Sequence, residues 1–439
     1  MSPELIVLLM FGGLFVGIFF GYPTAFVLGG LSMIFGVLFL GPEVLGFFIV
    51  RLEGVMKNYD LLAVPLFLFM GVYMEKSGVA EKLFSALYLL LGGTRGGLGI
   101  ATIVICTTFA AATGVVGASE ITIGLMALPA MLSRGYNIPL ACGAICAGGT
   151  LGILIPPSVL IVIYGPIAGV SVGKLFLAAV FPGLLLSFLY MLYIAVRCYL
   201  RPEDGPPLPE ADRMASWREK LSLLITSVIP TAVLIMAVLG SIFFGIAAVT
   251  EAAAVGALAS ILLAAIYRKL TFSLVREACI GTLQITSMIM LIAVAAAFFS
   301  TVFVAVGGDE VISRLFLNLP LGRWGILISI MILLVILGML IDWISIVFIL
   351  VPLITPIGEA LGFDPVWFAM LIIVNLQISF LTPPFAYSIF YLKGIVPPEV
   401  KTTDIYRGVI PFVGLQAVGL LICVFYPPFI TYLPSLMIR

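Results

Sequence analysis

Not one of the 439 residues is a histidine, and that absence removes imidazole metal ligands, Ser-His nucleophile pairs and histidine proton relays together. Charge is nearly as scarce: Asp, Glu, Lys and Arg make up 10% of the chain, and 21 basic residues cancel 21 acidic ones. Without a basic excess there is no electrostatic case for a nucleic-acid partner. The six cysteines follow no paired framework. Cys142 and Cys146 fall four apart on one helical face, where small residues at a helix contact are a better account than a thiol pair. No G-x-x-x-x-G-K-[ST] stretch occurs, and Gly92-Gly93-Thr94-Arg95-Gly96-Gly97 lies outside any strand-turn-helix context. An ion gradient or a partner is left as the energy source. The first twenty residues lack a basic n-region and a small-residue cleavage pattern, so they read as a retained helix and not a signal peptide.

What the chain has in excess is apolar length. Hydrophobic residues make up 63% and the mean hydropathy is +1.29, with runs long enough to cross a hydrocarbon core of about 30 Å. This predicts an all-α integral membrane protein that crosses the bilayer many times. Spans are expected near 4–20, 23–40, 60–76, 138–169, 175–199, 221–241, 245–267, 281–305, 365–394 and 405–430. The stretches 95–133 and 322–358 each hold two short apolar helices around a polar or Gly-rich centre, Thr113 to Glu120 and Gly338 to Ser345. Both read as re-entrant hairpins, because continuous spans would carry Glu120 or Asp342 to an expensive depth. The segments 42–58 and 78–93 mix charge with apolar residues and suit the membrane surface, as arms holding a mobile part within a fixed frame.

Two proline pairs interrupt apolar segments: Pro156-Pro157, and Pro383-Pro384 at an offset of 227 (383 − 156). Proline lacks a donor and clashes with the preceding turn, so 138–169 and 365–394 are expected to be broken helices whose freed carbonyls need another partner. The same offset aligns Ala25 with Ala252, Gly29 with Gly256, Pro129 with Pro356, Gly135 with Gly362 and Tyr164 with Tyr391. The order of features also occurs twice. This predicts inverted-topology repeats, 1–200 and 221–439, joined by a cytoplasmic connector at 201–220, since five crossings per half invert the second half. With the connector inside, 15 of the 21 basic residues fall on the cytoplasmic side, the bias that the positive-inside rule expects. Both termini then lie in the periplasm.

Two constellations carry chemistry. The first joins the hairpin centre, with Gly117 and Ser119, to the broken helix at Gly148, Gly149, Thr150, Gly152 and Pro156. Close backbone approach, unwound carbonyls and hydroxyls make hard oxygen donors suited to Na⁺, and helix N-termini at the break suit a carboxylate. The competing account is that these glycines merely pack helices. The second constellation joins Gly338, Asp342 and Ser345 to Asn375, Gln377, Ser379 and Thr382. An intramembrane acid with no basic neighbour in sequence is protonated, wet, or neutralised by a cation, and the cation is the favoured reading. Glu251 reads as a helix start.

These residues carry a resemblance. The run Gly149-Thr150-Leu151-Gly152-Ile153-Leu154-Ile155-Pro156-Pro157-Ser158, with Gly117-Ala118-Ser119-Glu120, Thr250-Glu251-Ala252-Ala253-Ala254 and Leu381-Thr382-Pro383-Pro384, resembles the large membrane subunit of tripartite ATP-independent periplasmic (TRAP) transporters, the DctM-like family. The resemblance spans essentially the whole chain. It departs at Val249, where proline is common in the family.

The resemblance implies a Na⁺-driven importer of elevator type in the bacterial inner membrane, with a scaffold and a transport domain. Its implied partners are a small DctQ-like membrane subunit, expected as a separate chain, and a periplasmic binding protein that delivers an organic acid. Sodium is expected at the two junctions and the substrate between them. On the residues named above, ion contacts fall to Gly117, Gly148, Gly149, Gly152, Gly338, Asp342, Gln377 and Thr382, and substrate contacts to Ser119, Thr150, Pro156, Ser345 and Thr382. Two rivals stand beside this reading: a self-sufficient Na⁺/carboxylate symporter of related fold, and a membrane enzyme using Asp342 or Glu120, for which no second catalytic partner appears at recognisable spacing.

Overall fold

The computed structural model describes residues 1–114, 116–209 and 217–437, and among them every regular element is helical. The first half runs α1 (Pro3–Phe19), α2 (Thr24–Leu40), α3 (Val44–Met56), α4 (Ala63–Lys76), α5 (Val79–Leu91), α6 (Gly97–Thr113), α7 (Val116–Leu132), α8 (Ile138–Thr150), α9 (Val159–Ala168) and α10 (Val172–Leu200). The second runs α11 (Trp217–Phe243), α12 (Val249–Ile266), α13 (Phe272–Ala305), α14 (Gly308–Leu317), α15 (Gly322–Gly338), α16 (Trp343–Ala360), α17 (Pro365–Leu381), α18 (Tyr387–Lys393), α19 (Thr402–Phe425) and α20 (Pro428–Ser435).

Local chemistry sets the corresponding boundaries in the two halves. Asn137 accepts from the Leu140 amide at 3.1 Å to start α8, and Asp364, 227 positions on, accepts from the Trp367 amide at 2.8 Å to start α17. Each cap is followed closely by a proline, Pro139 or Pro365, whose missing N–H costs nothing in a first turn. Gly135 and Gly362 take positive φ in the loops just before those caps, as the offset leads one to expect. Glu251 reaches back to the Ala248 amide at 2.8 Å and so caps α12.

One element departs from its counterpart. The chain bends by 59° between α3 and the segment Asp60–Lys76, whereas α13 covers the matching positions as one helix of 34 residues. Asn58-Tyr59-Asp60 falls at the bend in the first half, whereas Ile285-Thr286-Ser287 at the matching positions stay inside α13. The last expected span also ends early, at Phe425, where Tyr426, Pro427 and Pro428 stop α19.

Among the described residues, five helices are long and apolar enough to cross a membrane by length and composition: α10, α12, α13, α16 and α19. The outer faces of α1, α12 and α15 expose Leu8, Phe19, Leu258, Leu262, Ile328 and Ile332, a surface that only lipid or an apolar partner satisfies. Small residues bring the interior helices close. A Cβ at Gly71 of α4 would stand 2.6 Å from the Thr113 carbonyl oxygen at the end of α6.

The expected connector is shorter and better anchored than its composition suggests. Residues 217–220 of the expected connector belong to α11, and residues 210–216 lie outside the described set. The Asn137 amide donates to the Asp204 carbonyl at 3.1 Å, the Gly96 amide to that of Gly205 at 2.8 Å, and the Leu208 amide to that of Gly92 at 2.7 Å. Arg197 Nε pairs with Asp204 Oδ2 at 2.8 Å. Its first residues are therefore tied across the starts of α6 and α8.

Candidate substrate and ion site

The first junction is built around Gly114. Helix α6 ends there in the left-handed conformation, φ +66°, which glycine adopts without a Cβ penalty. The Gly114 carbonyl accepts from the Val159 amide at 3.3 Å, and a Cβ on Gly114 would stand 2.5 Å from the Pro157 oxygen. The tip between α6 and α7 is thus seated on the Pro156-Pro157 break. Within the break, Ser158 Oγ donates to the Ile153 carbonyl at 2.6 Å, which satisfies one of the groups that the prolines release. Ser119 Oγ lies 2.7 Å from Thr113 Oγ1, joining the two arms.

The second junction repeats the plan with different chemistry. Helix α15 ends at Gly338, against Ser379 of α17 so closely that an added Cβ would overlap the serine side chain. The Met339 carbonyl accepts from the Phe385 amide at 3.2 Å, just past the Pro383-Pro384 break. Asp342 caps α16: Oδ2 accepts from the Ser345 amide at 3.0 Å and Oδ1 from Ser345 Oγ at 2.5 Å. Thr24 Oγ1 reaches Oδ1 at 3.3 Å. Thr382 Oγ1 donates to the Ile378 carbonyl at 2.5 Å at the end of α17. Ser379 Oγ is buried without a hydrogen-bond partner, beside Gly338, which lies four residues before the acid in sequence.

The two tips share a space. A cavity of about 300 Å³ is lined by Gly114, Gly117, Ile153 and Val159 from the first junction and by Trp343, Ile344 and Phe380 from the second, with Tyr391 between them. Its walls are mostly apolar and include Ile285 and Met288 of α13. A second cavity of about 650 Å³ lies between α3, α9, α13 and α16; it holds Arg51, Asn58, Ser300 and Thr301. There Arg51 Nε donates to Thr301 Oγ1 at 2.5 Å.

Of the expected contact residues, only Gly117 lines the shared cavity. Thr150 is fully buried, donating to the Ala147 carbonyl at 2.9 Å and accepting from Gln416 Nε2 at 3.4 Å. Gly148 packs on Cys106 and Gly149 on Glu120, where an added Cβ would lie 2.6 Å and 2.8 Å from its nearest atoms. Gly152 and Pro156 are buried in the break, and Ser345 is held at Asp342. Gln377 is buried with both amide atoms unpartnered. It lies two residues from Ser379, however, and at 100° per helical residue the two point to opposite sides of α17. Gln377 therefore stands apart from the Asp342 cluster. Thr24, Arg51 and Tyr391 were not legible as site residues, since each arrives from a distant element; only the alignment of Tyr391 with Tyr164 marked one of them.

A family model described as the tripartite ATP-independent periplasmic transporter, DctM component, matches residues 11–429. The chain belongs to the DctM family of TRAP transporter permeases. The C4-dicarboxylate TRAP transporter large permease protein DctM of Pseudomonas aeruginosa is 33% identical over 410 residues, covering 92% of this chain and 93% of the relative. The ectoine TRAP transporter large permease protein TeaC of Halomonas elongata is 29% identical, covering 95% and 96%. Among solved structures, the YdaH transporter of Alcanivorax borkumensis shares the fold at a TM-score of 0.62 and 16% identity, covering 97% of this chain and 98% of that one. A DctM permease is the large subunit of a three-part transporter and not an enzyme, so this multi-pass membrane chain implies a small membrane subunit and a binding protein as partners.

Proposed function

We propose that this DctM permease is the transport-carrying subunit of a Na⁺-coupled, binding-protein-dependent importer of a small organic acid, resident in the bacterial inner membrane. The observation that carries the reading is the cavity on which both tip-and-break junctions converge. Irregular backbone at membrane depth is tolerated where it lines a cavity or is buried in protein, and paired breaks in the two halves of a chain mark a transporter's site.

The donor set suits Na⁺. Asp342 supplies a carboxylate, Ser379 an unpartnered hydroxyl, and the Gly338 end of α15 a close backbone approach, all hard oxygens. For the substrate, the named relatives carry a C4-dicarboxylate and ectoine, and Arg51 in the larger cavity gives an organic anion a cationic landing point.

In this reading α6–α7 and α15–α16 are re-entrant hairpins of inverted repeats, although α16 is long enough to cross by length alone. With α8–α9 and α17–α18 they form a body that moves against a frame of the remaining helices. The test is uptake by proteoliposomes containing the permease, its small subunit and a cognate binding protein. Uptake that needs a Na⁺ gradient and the binding protein supports the reading; Na⁺-driven uptake without the binding protein makes this a self-sufficient symporter.

A further inference from the structure

Helices α15 and α19 both pack on α17, and between them runs a groove of about 440 Å³. Trp324, Ile328, Ile332 and Ile336 form one rim at spacings of four, and Leu421 and Phe425 form the other; all six are exposed. Met331 and Asn375 lie buried in the floor, where the Asn375 Nδ2 donates to the Met331 carbonyl at 2.9 Å. The rest of the lining is apolar, so an occupant must be apolar too.

The groove has the length of one leaflet. From Trp324 to Ile336 the rim runs about 18 Å at about 1.5 Å per residue, a little over half of a hydrocarbon core of about 30 Å. Trp324, near the start of α15, and Phe425, at the end of α19, mark its mouth, and a tryptophan there suits the membrane surface.

The fold does not require this opening. At the 227 offset the counterparts of α15 and α19 are α6 and α10, which close on each other: an added Cβ on Gly96 would stand 2.9 Å from Cys198, and one on Gly99 3.1 Å from Ile194. Where the first half has Gly96-Gly97, the second has Arg323-Trp324. Ala101 and Ile105 are 1% and 0% exposed, whereas their counterparts Ile328 and Ile332 are 58% and 55% exposed.

A cation stands at the mouth. The Arg323 guanidinium lies 5.0 Å from the centre of the Trp324 ring and 5.5 Å from that of Phe363, within cation–π range. Among the described residues no carboxylate lies within 4 Å of it. Asp364 is turned to the Trp367 amide at 2.8 Å, and Glu359 borders a separate small cavity with Tyr164 and Thr355. A guanidinium stacked by its face keeps its edge N–H groups free, and that fork fits a phosphate.

We propose that this groove binds one phospholipid, with its phosphate on Arg323 and one acyl chain laid along α17 between α15 and α19. The site rests on the multi-pass membrane reading and on neither Na⁺ junction. It fills from the leaflet at which α15 begins, the outer one in the inverted arrangement.

The test is native mass spectrometry of the purified full-length permease, delipidated in mild detergent and titrated with phosphatidylglycerol. Wild type should hold one tightly bound lipid per chain. Arg323→Gln should weaken that lipid by about tenfold, the scale of losing one charge-assisted contact. Val424→Trp, which fills the groove from α19, should exclude it; if that variant does not fold, Phe425→Ala lowers the rim and should weaken binding instead. Arg314→Gln removes an exposed cation of α14 that pairs with Glu310, and it should change nothing. Inorganic phosphate should not compete, because the chain supplies the hold in the groove. Equal retention in wild type and the groove variants overturns the site, as does equal loss in Arg314→Gln. Loss in Arg323→Gln alone means a phosphate bound with no chain in the groove, and that also overturns it. Displacement of the lipid by added small subunit makes the groove a subunit contact and ends the lipid assignment.

Discussion

The hydroxyl of Thr24, the first residue of α2, stands 3.3 Å from Oδ1 of Asp342, which lies 318 residues further along the chain. In the proposed scheme one belongs to the frame and the other to the tip of the second hairpin, so the acid caps its own helix and also touches the element past which it moves.

Asp342→Asn should keep the fold and weaken Na⁺ activation. Asparagine caps a helix as well as aspartate does, so α16 should still start at the same place, and the change should fall on the charge alone. We expect the Na⁺ concentration for half-maximal uptake to rise by about tenfold or more, equivalent to about 1.4 kcal/mol of ion binding. Thr24→Val should leave it nearly unchanged. Unaltered Na⁺ activation in a well-folded Asp342→Asn protein removes this residue from the ion site.

Gly338→Ala should cost both stability and transport. The added methyl overlaps Ser379, and overpacking a tight contact costs about 1–3 kcal/mol. Gly12→Ala has nothing within 4 Å of the new atom and serves as the control. Thermal melts of both variants check this: equal shifts would mean that the Gly338 approach is not needed.

Sidedness can be read with single cysteines. Glu203, beside the connector, and Asp364, before α17, are both exposed, and the inverted arrangement puts them on opposite membrane faces. Cys279 is the exposed native cysteine among the described residues and should be replaced first. Glu203→Cys and Asp364→Cys should then react with impermeant reagent from opposite sides; labelling from one side contradicts the inversion.

Cross-links separate a moving body from a gate. The Asn375 Nδ2 donates to the Met331 carbonyl at 2.9 Å, between α17 and α15 inside the proposed body, whereas Thr107 Oγ1 of α6 donates to Ser187 Oγ of α10 at 2.8 Å across its boundary with the frame. A Met331→Cys/Asn375→Cys bridge should leave uptake largely intact, and a Thr107→Cys/Ser187→Cys bridge should abolish it until reduced. Equal loss from both would favour a gating motion within the hairpins over an elevator.

Much of the local plan was written in the chain. Proline acts within a few residues, so Pro156-Pro157 and Pro383-Pro384 marked the helix breaks without any knowledge of packing. The hydrophobic excess made the chain a multi-pass helical protein, and the motif around Pro156-Pro157 pointed to the family. Composition marked the connector but not its docking, because Asp204, Gly205 and Leu208 tie it onto elements that its own sequence does not name.

Which groups face each other could not be settled that way. Helical phase turns Gln377 away from Ser379 although the two are almost adjacent in sequence. Packing encloses Thr150 among Ala147 and Gln416, and brings Thr24 to Asp342 and Ser388 to Glu120 across hundreds of residues. Short-range rules give each helix its ends and its apolar face. The meeting of polar groups from different helices depends on how those faces interdigitate, and that is a property of the packed molecule alone.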